Sequence, residues 1–347
     1  MKSVTLDYGI KNISAEAFCE CTSLTEITIP SGVENIGSYA FSTCDKLTSI
    51  TIPTSVNMIG IEAFNNCMLL KSIKIPNSVT KIDDGAFSGC DSLTSINIPD
   101  SVTDIGNSAF ADCKSLTSVK LPDGLTNLNS RLFEYCVSLE TVKLPSGAVS
   151  LGGSLFLDCT SLKSIEIPDS VKILGSYAFM GCDALELIEI PGSIQEIEEN
   201  TFAYCDSLKS VTLCDGVKFI DERVFDSCAV LTEVKIPDSV TSIGVKAFNG
   251  CKSLKSIKLP DNITTIGQCA FYECELLESI VIPKGVSSIE YKTFFRCTSL
   301  ERVEIPDSVT NINVHAFLKC PSITIYGKAG SAAEEHAKQR KIQFAAQ

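Results

Sequence analysis

Apolar side chains recur along this chain at one fixed interval. Phe occupies positions 18, 41, 64, 87, 110, 133, 156, 179, 202, 225, 248, 271, 294 and 317, a spacing of 23 residues, and Cys follows three residues after each, from Cys21 to Cys320. Inside each unit the spacing changes twice. In Leu24-x-x-Ile27-x-Ile29 the Ile pair alternates with period two, which predicts a strand with one buried face. Pro30 closes that strand, because it has no N–H to give to a ladder. Short polar pairs follow as turns (Ser31-Gly32, Asp100-Ser101, Asp261-Asn262), where side chains bond their own backbone. Val33-x-x-Ile36 predicts a short extended return. Ala40-Phe41-x-x-Cys44-x-x-Leu47 has three- and four-residue spacing, which predicts a helical turn or two, in part 3₁₀.

A repeat of this length buries its apolar face only by stacking on its neighbours, so the pattern predicts a solenoid. Residues 1–326 read as about 14 coils of one elongated domain, and residues 327–347 as a C-terminal capping segment. That segment holds a run of helix formers, Ala332 to Lys341, followed by the apolar fragment Ile342-Gln343-Phe344. Three places depart from the pattern. Leu132 and Leu155 replace the small Ala before Phe, Ala148 replaces Val or Ile, and Cys214-Asp215-Gly216 lacks the proline. Local repacking between residues 125 and 156, and a different bend near Cys214, are expected.

The motif Leu-x-x-Ile-x-Ile-Pro-x-Ser-Val-x-x-Ile-Gly-x-x-Ala-Phe-x-x-Cys stands almost complete in Leu93–Cys113 and Leu231–Cys251. It resembles the BspA-like, treponemal-type leucine-rich repeat, and the resemblance covers essentially the whole chain. The resemblance implies an α/β-type repeat solenoid, a right-handed coil with a parallel β-sheet on the concave side. Short extended and 3₁₀ or helical turns are implied on the convex side. It also implies a non-catalytic adhesion protein at the cell surface or secreted. The general leucine-rich repeat template places Asn or Cys three residues after the strand. Here Ser55, Gly124 and Asn262 stand there, so Ser hydroxyls rather than an Asn ladder are expected to satisfy the backbone.

Charge narrows the choice of partner. Acids outnumber bases 42 to 29, for a formal net charge of −13, a field that repels phosphate backbones and anionic membrane surfaces. No apolar run is long enough for a spanning helix. The opening Met-Lys-Ser-Val-Thr-Leu is already in repeat register, so no signal peptide is expected. Fourteen of the 17 cysteines fill one column beside Phe and Leu, where a small apolar thiol packs well. That column is expected to stay reduced. Cys19, Cys214 and Cys269 lie outside it and are expected to be the reactive ones. Reduced thiols and no export signal favour an alternative reading, an intracellular scaffold or assembly protein on the same framework.

Catalytic chemistry finds little support. The two histidines, His315 and His336, read as solvated surface residues, and no nucleophile is required to lie beside either. No Cys-x-x-Cys pair or phosphate loop exists, and one turn Asp per coil is thin for calcium. No enzyme activity, cofactor or metal is expected.

Function is therefore sought where the copies differ. The outward position between the two strand Ile residues carries Lys74, Lys120 and Lys143, then Glu166 and Glu189, then Lys235 and Lys258, beside a column rich in Ser. This banded strip on the concave sheet is the expected contact with a protein or glycoconjugate partner of complementary charge. Tyr272, Tyr291 and Phe295 are expected to form a small apolar contact patch near the helical turns.

Overall fold

The structure is a computed structural model that describes residues 2–347. It divides into two compact units, Met1–Val171 and Lys172–Gln347, and each is a parallel β-solenoid.

In the first unit seven short strands pair in chain order: Ser3–Thr5, Glu26–Thr28, Ser49–Thr51, Ser72–Lys74, Ser95–Asn97, Ser118–Lys120 and Thr141–Lys143. The register sets each residue against its counterpart one repeat away, Ile50 on Ile73 and Val119 on Val142. The middle residue of nearly every strand is buried and its two neighbours exposed, as the period-two pattern demands. A second ladder of two-residue strands carries the Val-x-x-Ile return, from Asn12–Ile13 to Asp104–Ile105.

The second unit repeats both ladders. Leu187–Ile190, Ser210–Leu213 and Glu233–Lys235 form one sheet. Ser279–Val281, Arg302–Glu304, Thr324–Gly327 and Gln343–Ala346 form another. Between Thr324–Gly327 and Gln343–Ala346 runs one helix, α1 (Ala332–Arg340), with Glu334 and Glu335 in its first turn and Lys338 and Arg340 in its last. That distribution suits the helix dipole.

The remaining face of each coil is built from turns that never become a helix. The 3₁₀-type bonds implied by the spacing are present, for example Cys44 N–H to the Phe41 carbonyl at 3.2 Å. Two residues per coil interrupt them by adopting left-handed conformation, such as Tyr39 and Thr43, or Glu62 and Asn66. Left-handed residues turn their N–H groups out of the coil and toward the next one. Tyr39, Phe41 and Thr43 donate to the carbonyls of Ile61, Ala63 and Asn65 at 2.7, 2.8 and 2.7 Å. A non-glycine residue in this region costs about 1–2 kcal/mol, and a buried inter-coil hydrogen bond offsets it.

The core lies between these three faces. Phe rings stack face to face in both units, with centroids 5.3–5.9 Å apart in the first and 5.3–5.7 Å in the second. Within the first unit the widest step, 5.9 Å, separates Phe110 from Phe133, beside the bulkier Leu132. The expected repacking there is a widening of the ring column.

Thirteen of the 17 cysteines are buried. Column thiols donate to the Phe carbonyl of the preceding coil, as Cys67 does to Phe41 at 3.2 Å and Cys251 to Phe225 at 3.2 Å. Burial pushes the thiols of Cys44 and Cys228 up to about 12. Ser hydroxyls take the place of an Asn ladder: Ser101 donates to the Val79 carbonyl at 2.7 Å and Ser239 to that of Val217 at 2.8 Å. Near Cys214 the bend takes a definite form. Gly216 has a φ of +116°, and a Cβ there would stand 2.2 Å from the Gly192 carbonyl oxygen, so two coils touch through backbone alone.

Candidate functional site

The strand face of the first unit collects three lysines on neighbouring strands. Register places Lys74 opposite Asn97, Asn97 opposite Lys120, and Lys120 opposite Lys143. Each alternates with a buried aliphatic residue, so the pleat itself aims it at solvent. Among the described residues none of the three belongs to an ion pair. Ser72, Ser95, Ser118 and Thr141 lie exposed beside them. Paired strands stand about 4.8 Å apart, so Lys120 and Lys143 present adjacent positive charges in a chain that is acidic overall. Glu166 is also exposed, but its coil forms no strand at residues 163–168. A groove of about 380 Å³ opens there between Lys143 and Glu166, floored by Val142 and Ile165.

The second unit keeps less of the strip. Glu189 is exposed, and its Oε1 accepts a bond from the Cys214 thiol at 3.4 Å. Lys235 lies 3.6 Å from Glu233, two residues back on the same strand and therefore on the same face. That pairing was legible, since Glu233 and Lys235 differ by one strand period. Lys258 is exposed and outside any strand.

The three aromatic residues come together around a cation. Tyr272 and Phe295 stack at 4.6 Å, and the Lys292 ammonium stands 4.8 Å from the Phe295 ring, 5.1 Å from Tyr291 and 6.0 Å from Tyr272. Phe295 is only 7% exposed, whereas Tyr291 is 38% exposed and meets His315 edge-on at 5.6 Å. A cation over the ring faces occupies the surface that an apolar partner would use. The Tyr291 hydroxyl beside Lys292 raises that ammonium's pKa.

Of the two histidines, His315 is exposed as expected. His336 is not. It is 5% exposed, edge-on to Phe317 at 5.8 Å, and shares the buried face of α1 with Ala333 and Ala337. Burial and the nearby Arg340 lower its pKa to about 4. A single short helix offers too few turns to reveal its inner face by periodicity, so the sequence showed a polar residue and not its burial. Among the described residues no group of three His, Cys, Asp or Glu side chains is placed to hold a metal ion. Cys19, Cys214 and Cys269 are half-buried. Burial raises the Cys19 and Cys269 thiols, the latter against the pull of Lys246 and Lys292, so any reactivity there rests on access and not on thiolate character.

The family model described as BspA type leucine rich repeat region, six copies, matches residues 1–117, 103–231 and 219–329. The chain belongs to this BspA-type leucine-rich repeat family. No curated protein matches it. Among solved structures, it is similar to a leucine-rich repeat protein from Bacteroides ovatus, with 32% identity and a TM-score of 0.75 over 100% of this chain and 92% of that one. It is also similar to a leucine rich cell surface protein from Faecalibacterium prausnitzii, with 30% identity and a TM-score of 0.54 over 90% of each chain. The pneumococcal vaccine antigen PcpA shares the fold, with 20% identity and a TM-score of 0.60 over 100% of this chain and 92% of that one. The repeat's apolar positions, from the strand Ile pair to the Phe and Cys columns, supply most of the core. The lysine row lies on the solvent side of the same strands. Among the described residues no helix is long and apolar enough to cross a membrane.

Proposed function

We propose that this chain is a non-catalytic recognition protein that binds a protein partner through the strand face of its first unit. Lys74, Lys120 and Lys143 carry the reading: exposed cations in register and without ion pairs, which an acidic partner surface complements. Leucine-rich repeat proteins generally mediate protein interactions, and solenoids of this kind are typically non-catalytic. A place at the cell surface is supported by the Faecalibacterium relative, whose description includes that location. The buried cysteine column, which packs as reduced thiols, favours a second reading, an intracellular scaffold using the same face.

The test is capture of partners from separate surface and cytosolic fractions by the full chain, followed by quantitative binding of whichever protein or glycoconjugate is retained. The double variant Lys120→Glu, Lys143→Glu is expected to weaken that binding at least tenfold, more at low salt than at high. Unchanged affinity in the double variant would sink the assignment of this face. Retention of a glycoconjugate in place of a protein would overturn the partner class.

A further inference from the structure

The turn ladder of the second unit ends on donors with no coil to receive them. The N–H groups of Phe271, Glu273, Phe294 and Arg296 each bond a carbonyl one coil onward, at 2.9, 2.8, 2.9 and 3.0 Å. Their counterparts in the last coil are Phe317 and Lys319, and among the described residues neither N–H meets a carbonyl. His315, the other member of that set, turns instead to Asn313 Oδ1 at 2.9 Å. Where a further coil would lie, α1 packs instead, and between them is a cavity of about 710 Å³.

The walls of this cavity have one sign. Lys319 lines it from the coil, and Arg340 and Lys341 line it from the end of α1, with no carboxylate among the lining residues. None of the three cations belongs to an ion pair among the described residues. The Lys319 ammonium instead rests 5.5 Å from the Phe295 ring. His336 also lines the cavity; it is 5% exposed, and its Nε2 has no hydrogen-bond partner. Leu318 and Ile342 supply apolar wall.

Backbone N–H groups without a carbonyl partner beside cations make a receptor for oxyanions, since both the partial and the full charges favour a negative guest. One contribution opposes it. The C-terminus of a helix carries negative partial charge, but two of the last carbonyls of α1, those of Ala337 and Lys338, already accept the N–H groups of Ile342 and Lys341 at 2.8 and 3.4 Å. We propose that this cavity binds a small organic oxyanion, a carboxylate or a phosphate bearing a short apolar group. Its charged end takes the Phe317 and Lys319 N–H groups, within the field of Arg340 and Lys341. Burial first and the Arg340 charge second lower the pKa of His336, so an anion held beside Arg340 would act on the second of these.

The full chain would be titrated calorimetrically with hexanoate, hexyl phosphate and inorganic phosphate, and the His336 imidazole followed by NMR across pH. Saturable binding of at least one hexyl ligand is expected, and which arm binds tells carboxylate from phosphate. Arg340 and Lys341 are exposed, so Arg340→Ala with Lys341→Ala is expected to leave the melting temperature unchanged and to weaken binding at least tenfold. Bound ligand is expected to move the His336 titration to higher pH, which a purely structural histidine would not do. Absence of saturable binding by both hexyl ligands, or equal affinity in the folded double variant, would overturn the site. Inorganic phosphate binding as tightly as hexyl phosphate would overturn the organic character of the ligand.

Discussion

The carbonyl of Phe41 accepts two hydrogen bonds, from the Cys44 N–H at 3.2 Å and from the Cys67 thiol at 3.2 Å. Cys is suited to this position because its side chain is small, apolar and still a weak donor. The same fit makes stability pH-dependent. A buried thiol is held protonated, so its folded pKa lies above the unfolded value near 8.5. Stability is then fully present below the unfolded value and lost as pH rises through the folded one, about 12 for Cys44 and Cys228. Unfolding free energies from urea titrations are expected to stay level from neutral pH to about 8 and to fall steeply above about 9, by roughly 1.4 kcal/mol per pH unit for each participating thiol. Cys113→Ala, which removes one such thiol, should reduce that slope; a slope indifferent to the number of column cysteines would refute the account. The columns were legible because each recurs at every unit. The burial of His336 occurs once, and no repetition marks it.

A coil's turn segment shows how one spacing can describe two backbones. Ala-Phe-x-x-Cys-x-x-Leu fits a short helix as well as a chain of turns, and the residues that decide between them are the left-handed ones. Tyr39, Thr43, Glu62, Asn66, Arg131 and Asp158 share no chemistry at those places, and only Gly85, Gly89, Gly181 and Gly250 hint at a positive φ. The sequence therefore hid the conformation where side chains outnumber glycines. Gly216 is different, since its φ of +116° and the facing Gly192 leave no room for a Cβ. Gly216→Ala is expected to cost about 1–3 kcal/mol through backbone strain alone, with further loss from the clash. Gly124→Ala, where a Cβ meets nothing within 4 Å, should lie within about 0.5 kcal/mol of the parent. Thermal melts of the two variants make the comparison, and equal melting temperatures would count against the close approach.

At the scale of the molecule, the ladders repeat at an offset of one coil, 23 residues in the strand register and in side-chain pairs such as Lys209 with Glu186, until the last strands, where Arg302 pairs with Thr324 and Thr324 with Gln343. A coil is therefore defined by its neighbours and not by its position along the chain. Excising Thr232–Leu254, one full coil from the second unit, should leave a cooperative, less stable protein with unchanged circular dichroism per residue. Excising one residue fewer shifts every following strand by one place and exposes its buried face, and this variant should fail to fold. Equal behaviour of the two deletions would refute strict register. The lysine row obeys a different logic: nothing in the ladders fixes Lys74, Lys120 or Lys143, so the sequence could locate that strip but not name what meets it. The strict offset also reaches beyond protein chemistry. In a gene, an insertion or deletion of one whole 23-codon repeat keeps every following column in place, so surface charge patterns can be lengthened or shortened in a single event while the core remains intact.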